Sequence, residues 1–198
     1  MNLEQKNDYY AISFEDEDFS FTEIAAKEFD NCTFTKCDFS EAVLNKCNFI
    51  ECDFINCNLS LVNLQYSKFS DVTFRQSKLV GIDWTKVAWN RLTNDAPVKF
   101  YQSILNDCSF YGLTLEELIV QECKAHHVDF REGDFSNADF TFSDLTGSLF
   151  GNTRLARANF TDAAEYDIDV YQNDIKGAKF SRFEAIRLLD SLEVELTD

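Results

Sequence analysis

The chain has 198 residues and a formal net charge of −17, from 18 Lys and Arg against 35 Asp and Glu. Its apolar fraction of 45% is too high for a disordered acidic tail, and its acidity argues against direct binding to nucleic acid or to an anionic membrane. No run of about 18 apolar residues is present, and the polar first ten residues lack the apolar core of a signal peptide. We therefore expect a cytoplasmic protein of one or two domains, with no direct nucleic-acid or membrane contact.

Residues 1–11 are expected to cap the structure that follows or to be frayed. From residue 12 to residue 181, a large apolar residue recurs every five positions, a period that fits neither a helix nor a strand and therefore indicates a repeat. In the first half these central residues are Phe14, Phe19, Ile24, Phe29, Phe34, Phe39, Leu44, Phe49, Phe54, Leu59, Leu64, Phe69, Phe74, Leu79, Trp84 and Trp89. Seventeen of the 20 Phe take a central position, and all seven Cys lie two residues before one.

This pattern resembles the pentapeptide-repeat family, specifically its single-domain bacterial members. The resemblance implies an all-β solenoid, a right-handed quadrilateral β-helix with four pentapeptides per coil and about eight coils in all. The sequence supports four faces, because Phe and Leu positions separate when the chain is stepped by 20 residues. One such column is Phe14, Phe34, Phe54 and Phe74, and the opposite one is Ile24, Leu44, Leu64 and Trp84.

Two irregularities interrupt the repeat. The phase shifts by one residue within 90–99, which contains the only proline, Pro97, and a bulge or short protruding loop is expected there. The second run continues from Phe100 to Phe180 with two misfits, Ala125 and Glu165, which fall in the same column. We expect that face to be irregular near residues 163–167.

The segment 182–198 departs from the repeat and is expected to form a short helix and tail. Apolar residues with helical spacing lie in it, namely Phe183, Ile186, Leu188, Leu189 and Leu192. These residues are expected to cap the last coil, to form a homodimer contact, or both. Resemblance to the Qnr quinolone-resistance branch of the family implies dimerisation through this end.

The residues with reactive side chains do not form a recognisable catalytic or metal site. The Cys spacing follows the repeat, and the odd number of Cys argues against a disulfide framework, so we interpret the Cys as small buried apolar residues. His126 and His127, the only histidines, are expected at the surface. No phosphate-binding loop or dinucleotide fingerprint is present. We expect a protein that is not an enzyme and needs no cofactor or metal.

Acidic side chains between the central positions are the strongest functional signal. Candidate interaction residues are Glu15, Asp16, Glu17, Asp18, Asp38, Asp53, Glu116, Glu117, Glu122, Asp129, Glu132, Asp134, Asp139 and Asp144. Spread along a rod of about 40 Å, the net charge amounts to about one per 2.4 Å, near the one per 1.7 Å of duplex DNA. One hypothesis is that the rod mimics duplex DNA.

The resemblance to the Qnr branch implies that DNA gyrase or topoisomerase IV is the partner of such a mimic, with topoisomerase modulation or quinolone protection as the outcome. The alternative is a cytoplasmic scaffold that binds an unrelated protein, in which case the acidity serves solubility.

Overall fold

The computed structural model describes residues 6–89, 97–192 and 194, which form one β-solenoid of about eight coils. Each central apolar residue and the small residue two positions before it point into the tube, because side chains alternate across a strand. The fold is the expected right-handed quadrilateral β-helix with one short helix near the C-terminus. No helix within the described residues is long and apolar enough to cross a membrane.

Short parallel strands form the walls of the tube. They are β1 Asp8–Tyr10, β2 Ser13–Glu15, β3 Glu23–Ala25, β4 Glu28–Asp30, β5 Thr33–Thr35, β6 Val43–Asn45, β7 Asn48–Ile50, β8 Asp53–Ile55, β9 Lys68–Ser70, β10 Val72–Arg75, β11 Val98–Tyr101, β12 Ile119–Gln121, β13 Asn159–Phe160 and β14 Lys179–Phe180. A 3-10 turn spans Trp84–Lys86, and the C-terminal helix, Glu184–Leu192, is also a 3-10 helix.

We name the four faces by the central residue of their first full coil: face A by Phe14, face B by Phe19, face C by Ile24 and face D by Phe29. On face A, Phe14 pairs in register with Phe34, and Phe34 with Phe54, at intervals of 20 residues. Their rings stack with centroids 4.7 and 4.6 Å apart. The predicted 20-residue period is therefore the coil, and stacked aromatic rings form its core.

The corners between faces have left-handed backbone. The residue two positions after each central residue has a positive φ in most repeats, from Ala11 at 51° to Asp162 at 56°. Of the described residues with positive φ, 26 are not glycine, and none of these is Val, Ile or Thr. A branched Cβ fits poorly in this region of φ and ψ, which explains the lack of β-branched residues at the described corners.

One coil is longer than the others. Phe74 pairs with Phe100, so that this coil contains 26 residues in place of 20. The expected loop at 90–99 falls mostly on residues 90–96, which lie outside the described residues. At its end the prediction is wrong, because Val98 and Lys99 already belong to β11 and continue face A.

The repeat is irregular where it was expected to be, near residues 163–167. Leu149 pairs with Asp167, only 18 residues on, so Ile168 rather than Val170 stacks above Phe150. Tyr166 is fully buried, whereas Glu165 turns outward with a φ of 58°. The assignment of Glu165 and Val170 to central positions was therefore wrong, because the shortened repeat brings Tyr166 and Ile168 into the core.

Both ends add to the tube. β1 lies within residues 1–11 and begins the first coil, with the Tyr9 ring stacked on Phe29 at 5.1 Å. At the other end, Leu188 of the C-terminal helix packs against the core. The helix begins at Glu184, two residues after the expected start at Arg182.

Candidate functional site

The outer surface is built from three positions of each repeat: the residues on either side of the central one, and the corner residue. Sequence reasoning placed the candidate acids along a band from Glu116 to Asp144. The structure distributes that band around all four faces, because each repeat turns the chain by one face. Glu116 and Glu117 lie on face D, Glu122 on face A and Asp129 on face C. Acids five residues apart in the sequence, such as Asp129 and Asp134, thus lie on different faces.

The N-terminal acidic cluster surrounds one corner of the first coil. Glu15 ends β2, Asp16 is the corner residue with a φ of 52°, and both side chains are exposed. Glu17 is half-buried, because it occupies the position of the small inward residue. Of the four predicted residues, Glu17 is therefore the one that does not face outward.

Several of the predicted acids stabilise the backbone of their own repeat. The carboxylate accepts a hydrogen bond from the N–H two residues on, as Asp38 does from Ser40 at 2.8 Å. The other acids with this bond are Asp18, Asp129, Asp134, Asp139 and Asp144. Bonds from the Ser20 hydroxyl and N–H lower the pKa of Asp18. Sequence reasoning missed this role, although Ser or Thr two residues after Asp is its signal.

Basic side chains neutralise part of the band. Arg131 forms two hydrogen bonds with Asp129, at 2.9 and 2.8 Å, and this lowers the pKa of the Asp129 carboxyl. Arg154, one coil further on, lies 3.3 Å from Asp134. Asp144 lies 2.8 Å from Nε2 of His126. Asp129 and Asp134 therefore present less charge to a partner than their number suggests.

A second group of acids has no basic partner among the described residues. Asp30, Glu51 and Asp53 lie together on the edge between faces D and A, and Glu116 and Glu117 lie on face D further along the tube. We call these five residues the acidic edge. Asp30 and Glu51 were not among the predicted site residues; stepping the outward positions by 20, as for the core, would have grouped them.

Glu122 and Glu132 are held by neutral amides only. Gln102 donates to Glu122 at 2.9 Å, and Asn152 donates to Glu132 at 2.8 Å. Neither forms an ion pair with a described residue, and both lie at corners, next to faces A and C.

The C-terminal residues divide into two groups. Leu188, Leu189 and Leu192 are half-buried, and Leu188 packs on the core, which supports a capping role. Phe183 is 90% exposed and Ile186 52% exposed, so these two side chains are available for contact with another molecule.

The Cys and His residues take the places expected of them. All seven Cys are free and buried, and burial raises the pKa of Cys52 to about 12. The thiols donate to backbone carbonyls, as Cys57 does to Phe34 O at 3.3 Å. No group of His, Cys, Asp and Glu within the described ranges is arranged to hold a metal.

A profile of the pentapeptide repeat region matches residues 27–94 and 96–160. The chain belongs to the pentapeptide-repeat family. Its fold is similar to that of QnrB1, described as a plasmid-mediated fluoroquinolone resistance protein, with a TM-score of 0.63, 17% identity and coverage of 96% of this chain and 100% of that one. No curated protein sequence matches the chain.

The fold is also similar to HetL from the cyanobacterium Nostoc sp. strain PCC 7120, which is described as involved in heterocyst differentiation regulation. The TM-score is 0.53 and the identity 15%, with 87% of this chain and 84% of HetL covered. Proteins of this family with different described roles thus share the tube, and the outer surface must distinguish them.

Proposed function

We propose that this protein is a non-enzymatic, cytoplasmic interaction protein whose acidic tube mimics duplex DNA and occupies the DNA-binding groove of DNA gyrase or topoisomerase IV. The observation that carries the proposal is the acidic edge: carboxylates without basic partners, fixed on a rigid tube at spacings set by the coil. A groove that binds DNA presents Lys and Arg to phosphates. Carboxylates at fixed positions can take the place of the phosphates as partners of these Lys and Arg residues, with little loss of conformational entropy on binding.

The choice of partner rests on resemblance. The Qnr branch of the family is the one associated with gyrase, and QnrB1, which has the same fold, is described as a fluoroquinolone resistance protein. The net charge of −17 supports a partner surface that is basic.

We also propose that two copies associate through the C-terminal helix. Phe183 and Ile186 are exposed beside the half-buried leucines that cap the tube, and a second copy would cover them. Sedimentation at micromolar concentration is expected to give a dimer that Phe183→Asp with Ile186→Asp converts to a monomer. A wild-type monomer would assign the helix to capping alone.

The decisive assay is gyrase supercoiling with and without a fluoroquinolone. The protein is expected to inhibit supercoiling or to relieve its inhibition by the drug. Neutralising two corner residues of the acidic edge, Glu51→Gln with Glu117→Gln, is expected to weaken the effect about fivefold to thirtyfold, at roughly 0.5–1 kcal/mol per charge. The matched control removes the same net charge at two acids that bind the backbone of their own repeat, Asp38→Asn with Asp139→Asn. A purified protein without either effect would exclude the proposal.

A second candidate function is a scaffold for an unrelated protein. It is favoured by the exposed apolar side chains at corners, since the phosphate backbone of DNA presents charge and no such side chains. Phe21, Leu61, Tyr66 and Phe142 are 57–73% exposed. Isolation of partners from lysate, repeated with excess duplex DNA, separates the two. Partners released by DNA support mimicry, and partners retained support the scaffold.

A further inference from the structure

The last coil leaves part of its rim without backbone partners among the residues that the structure describes. In the coil below, the N–H of Leu155 donates to Asp174 O at 2.8 Å, and that of Arg157 donates to Lys176 O at 2.9 Å. Ile175 and Gly177 take the equivalent positions in the last coil, and neither N–H has an acceptor among the described residues. β14 likewise pairs only with β13 in the part of the chain that the structure describes.

The C-terminal helix covers the opposite side of this end. Arg187 forms an ion pair with Glu165, and Ser191 Oγ accepts a hydrogen bond from the Val170 N–H at 3.4 Å. These anchors lie where the chain passes through faces B and C. On faces D and A no described residue covers the rim formed by residues 175–182, which we call the open rim, and Gly177 on it is exposed.

Basic side chains border the open rim. The exposed ones are Arg157, Lys176, Lys179 and Arg182. None of them forms an ion pair with a described residue; Arg157 donates from Nε to Asn137 Oδ1 at 2.7 Å. Two acids lie nearby: Asp174 accepts the Lys176 N–H, and Asp162 accepts from the Ser181 hydroxyl. Among the described residues the rim therefore carries more basic than acidic side chains, on a protein with a net charge of −17.

From these three features we propose that the open rim binds an acidic, extended segment of a partner protein by strand addition. The free N–H groups of Ile175 and Gly177 bind carbonyls of the segment, and β14 gains a neighbour on its open side. Carboxylates of the segment lie against Lys176 and Lys179, which selects acidic over basic sequences. Unpaired edges attract other strands, and the bases decide which strand is accepted. The proposed mimicry of DNA uses other residues, whereas the proposed dimer would form at this same end of the tube, so the test must separate the partner segment from a second copy.

The test uses the full chain and a probe of defined chemistry, an acetylated and amidated hexapeptide of alternating Glu and Val. The peptide is expected to shift the backbone amide signals of Ile175 and Gly177 in NMR spectra and to slow their hydrogen exchange. Two control peptides separate the contributions: one with Lys in place of Glu, and one with N-methylated amides along one edge. Each control is expected to bind at least about tenfold more weakly.

Variants test the same point from the protein side. Lys176→Glu with Lys179→Glu is expected to weaken peptide binding at least about tenfold. The matched control is Lys78→Glu with Lys124→Glu, two exposed lysines aligned on face B, which should bind as wild type does. Equal binding of all peptides, or shifts confined to the C-terminal helix, would overturn the proposal. So would protection of the Ile175 and Gly177 amides in a dimer of the protein alone, because a second copy would then cover the rim.

Discussion

Replacing one buried ring in the stacked core tests the packing argument most directly. Phe54 is fully buried, with ring centroids 4.6 Å from Phe34 and 5.0 Å from Phe74. Phe39 and Phe49 contact it edge-on, at 5.8 and 5.7 Å. Phe54→Ala is therefore expected to lower the free energy of unfolding by about 4–5 kcal/mol. This is the upper half of the range for buried Phe, because two stacked ring pairs are lost as well.

The matched control is the same substitution at a corner. Phe21 is 73% exposed and has a φ of 55°, which Ala tolerates as well as Phe does, so Phe21→Ala is expected to change stability by less than about 0.5 kcal/mol. Urea titrations followed by tryptophan fluorescence report on the neighbouring coil, since both tryptophans, Trp84 and Trp89, lie there. Circular dichroism on the same samples shows whether the coils unfold together. Equal effects of the two substitutions, or a cost below about 1 kcal/mol for Phe54→Ala, would refute the reasoning.

Three further predictions concern the corners and the acids. Leu61→Ile places a branched Cβ at a φ of 59° and is expected to lower the free energy of unfolding in urea by about 1–2 kcal/mol. The same substitution at Leu149, in a strand position, should be nearly neutral. Equal losses of stability would contradict the corner argument. Gly147 has a φ of 67°, and a Cβ added there would lie 2.4 Å from the His127 ring, so Gly147→Ala is expected to lower the free energy of unfolding by about 1 kcal/mol. Adding His127→Ala should restore only the part of this loss that is due to the ring. Full recovery of stability would exclude backbone strain. The pKa of Asp129 is lower in the folded state than in the unfolded state, where it is about 3.9, so the ionised carboxyl stabilises the fold above that pH. This contribution is lost as the pH falls through the folded pKa, and the stability difference between wild type and Asp129→Asn should therefore shrink from pH 7 to pH 3. A constant difference would contradict this.

The core could be predicted from the sequence because the coil imposes a fixed period on it. Inward positions accept only residues of a given size, so Phe34 and Cys32 repeat at constant phase. The period fails where the coil changes length, as at Tyr166 and Ile168. A shortened repeat moves the inward position by two residues, and only the pairing of Leu149 with Asp167 reveals it.

The outer surface was harder to predict, because an acidic residue serves two purposes there. The Asp38 carboxylate caps the backbone of its own repeat, whereas the side chain of Glu51 at a corner bonds to no described residue. The amino-acid composition does not distinguish these two acids, because each contributes one negative charge. The three-residue pattern of Asp followed by Ser or Thr separates them, since only a short carboxylate beside the central residue reaches the N–H two positions on.

The distribution of acids around the tube bears on the proposed mimicry. Duplex DNA carries phosphates around its whole circumference, and an enzyme that encloses it contacts more than one side. A solenoid that turns one face every five residues also spreads its charge around the circumference, as Glu117, Glu122 and Glu132 do at three different corners. A corner carboxylate lies beyond reach of the backbone N–H groups that bind Asp38 and its equivalents. Corner Glu residues should therefore matter more to a DNA-binding partner than Asp residues beside the core, although both contribute equally to the net charge.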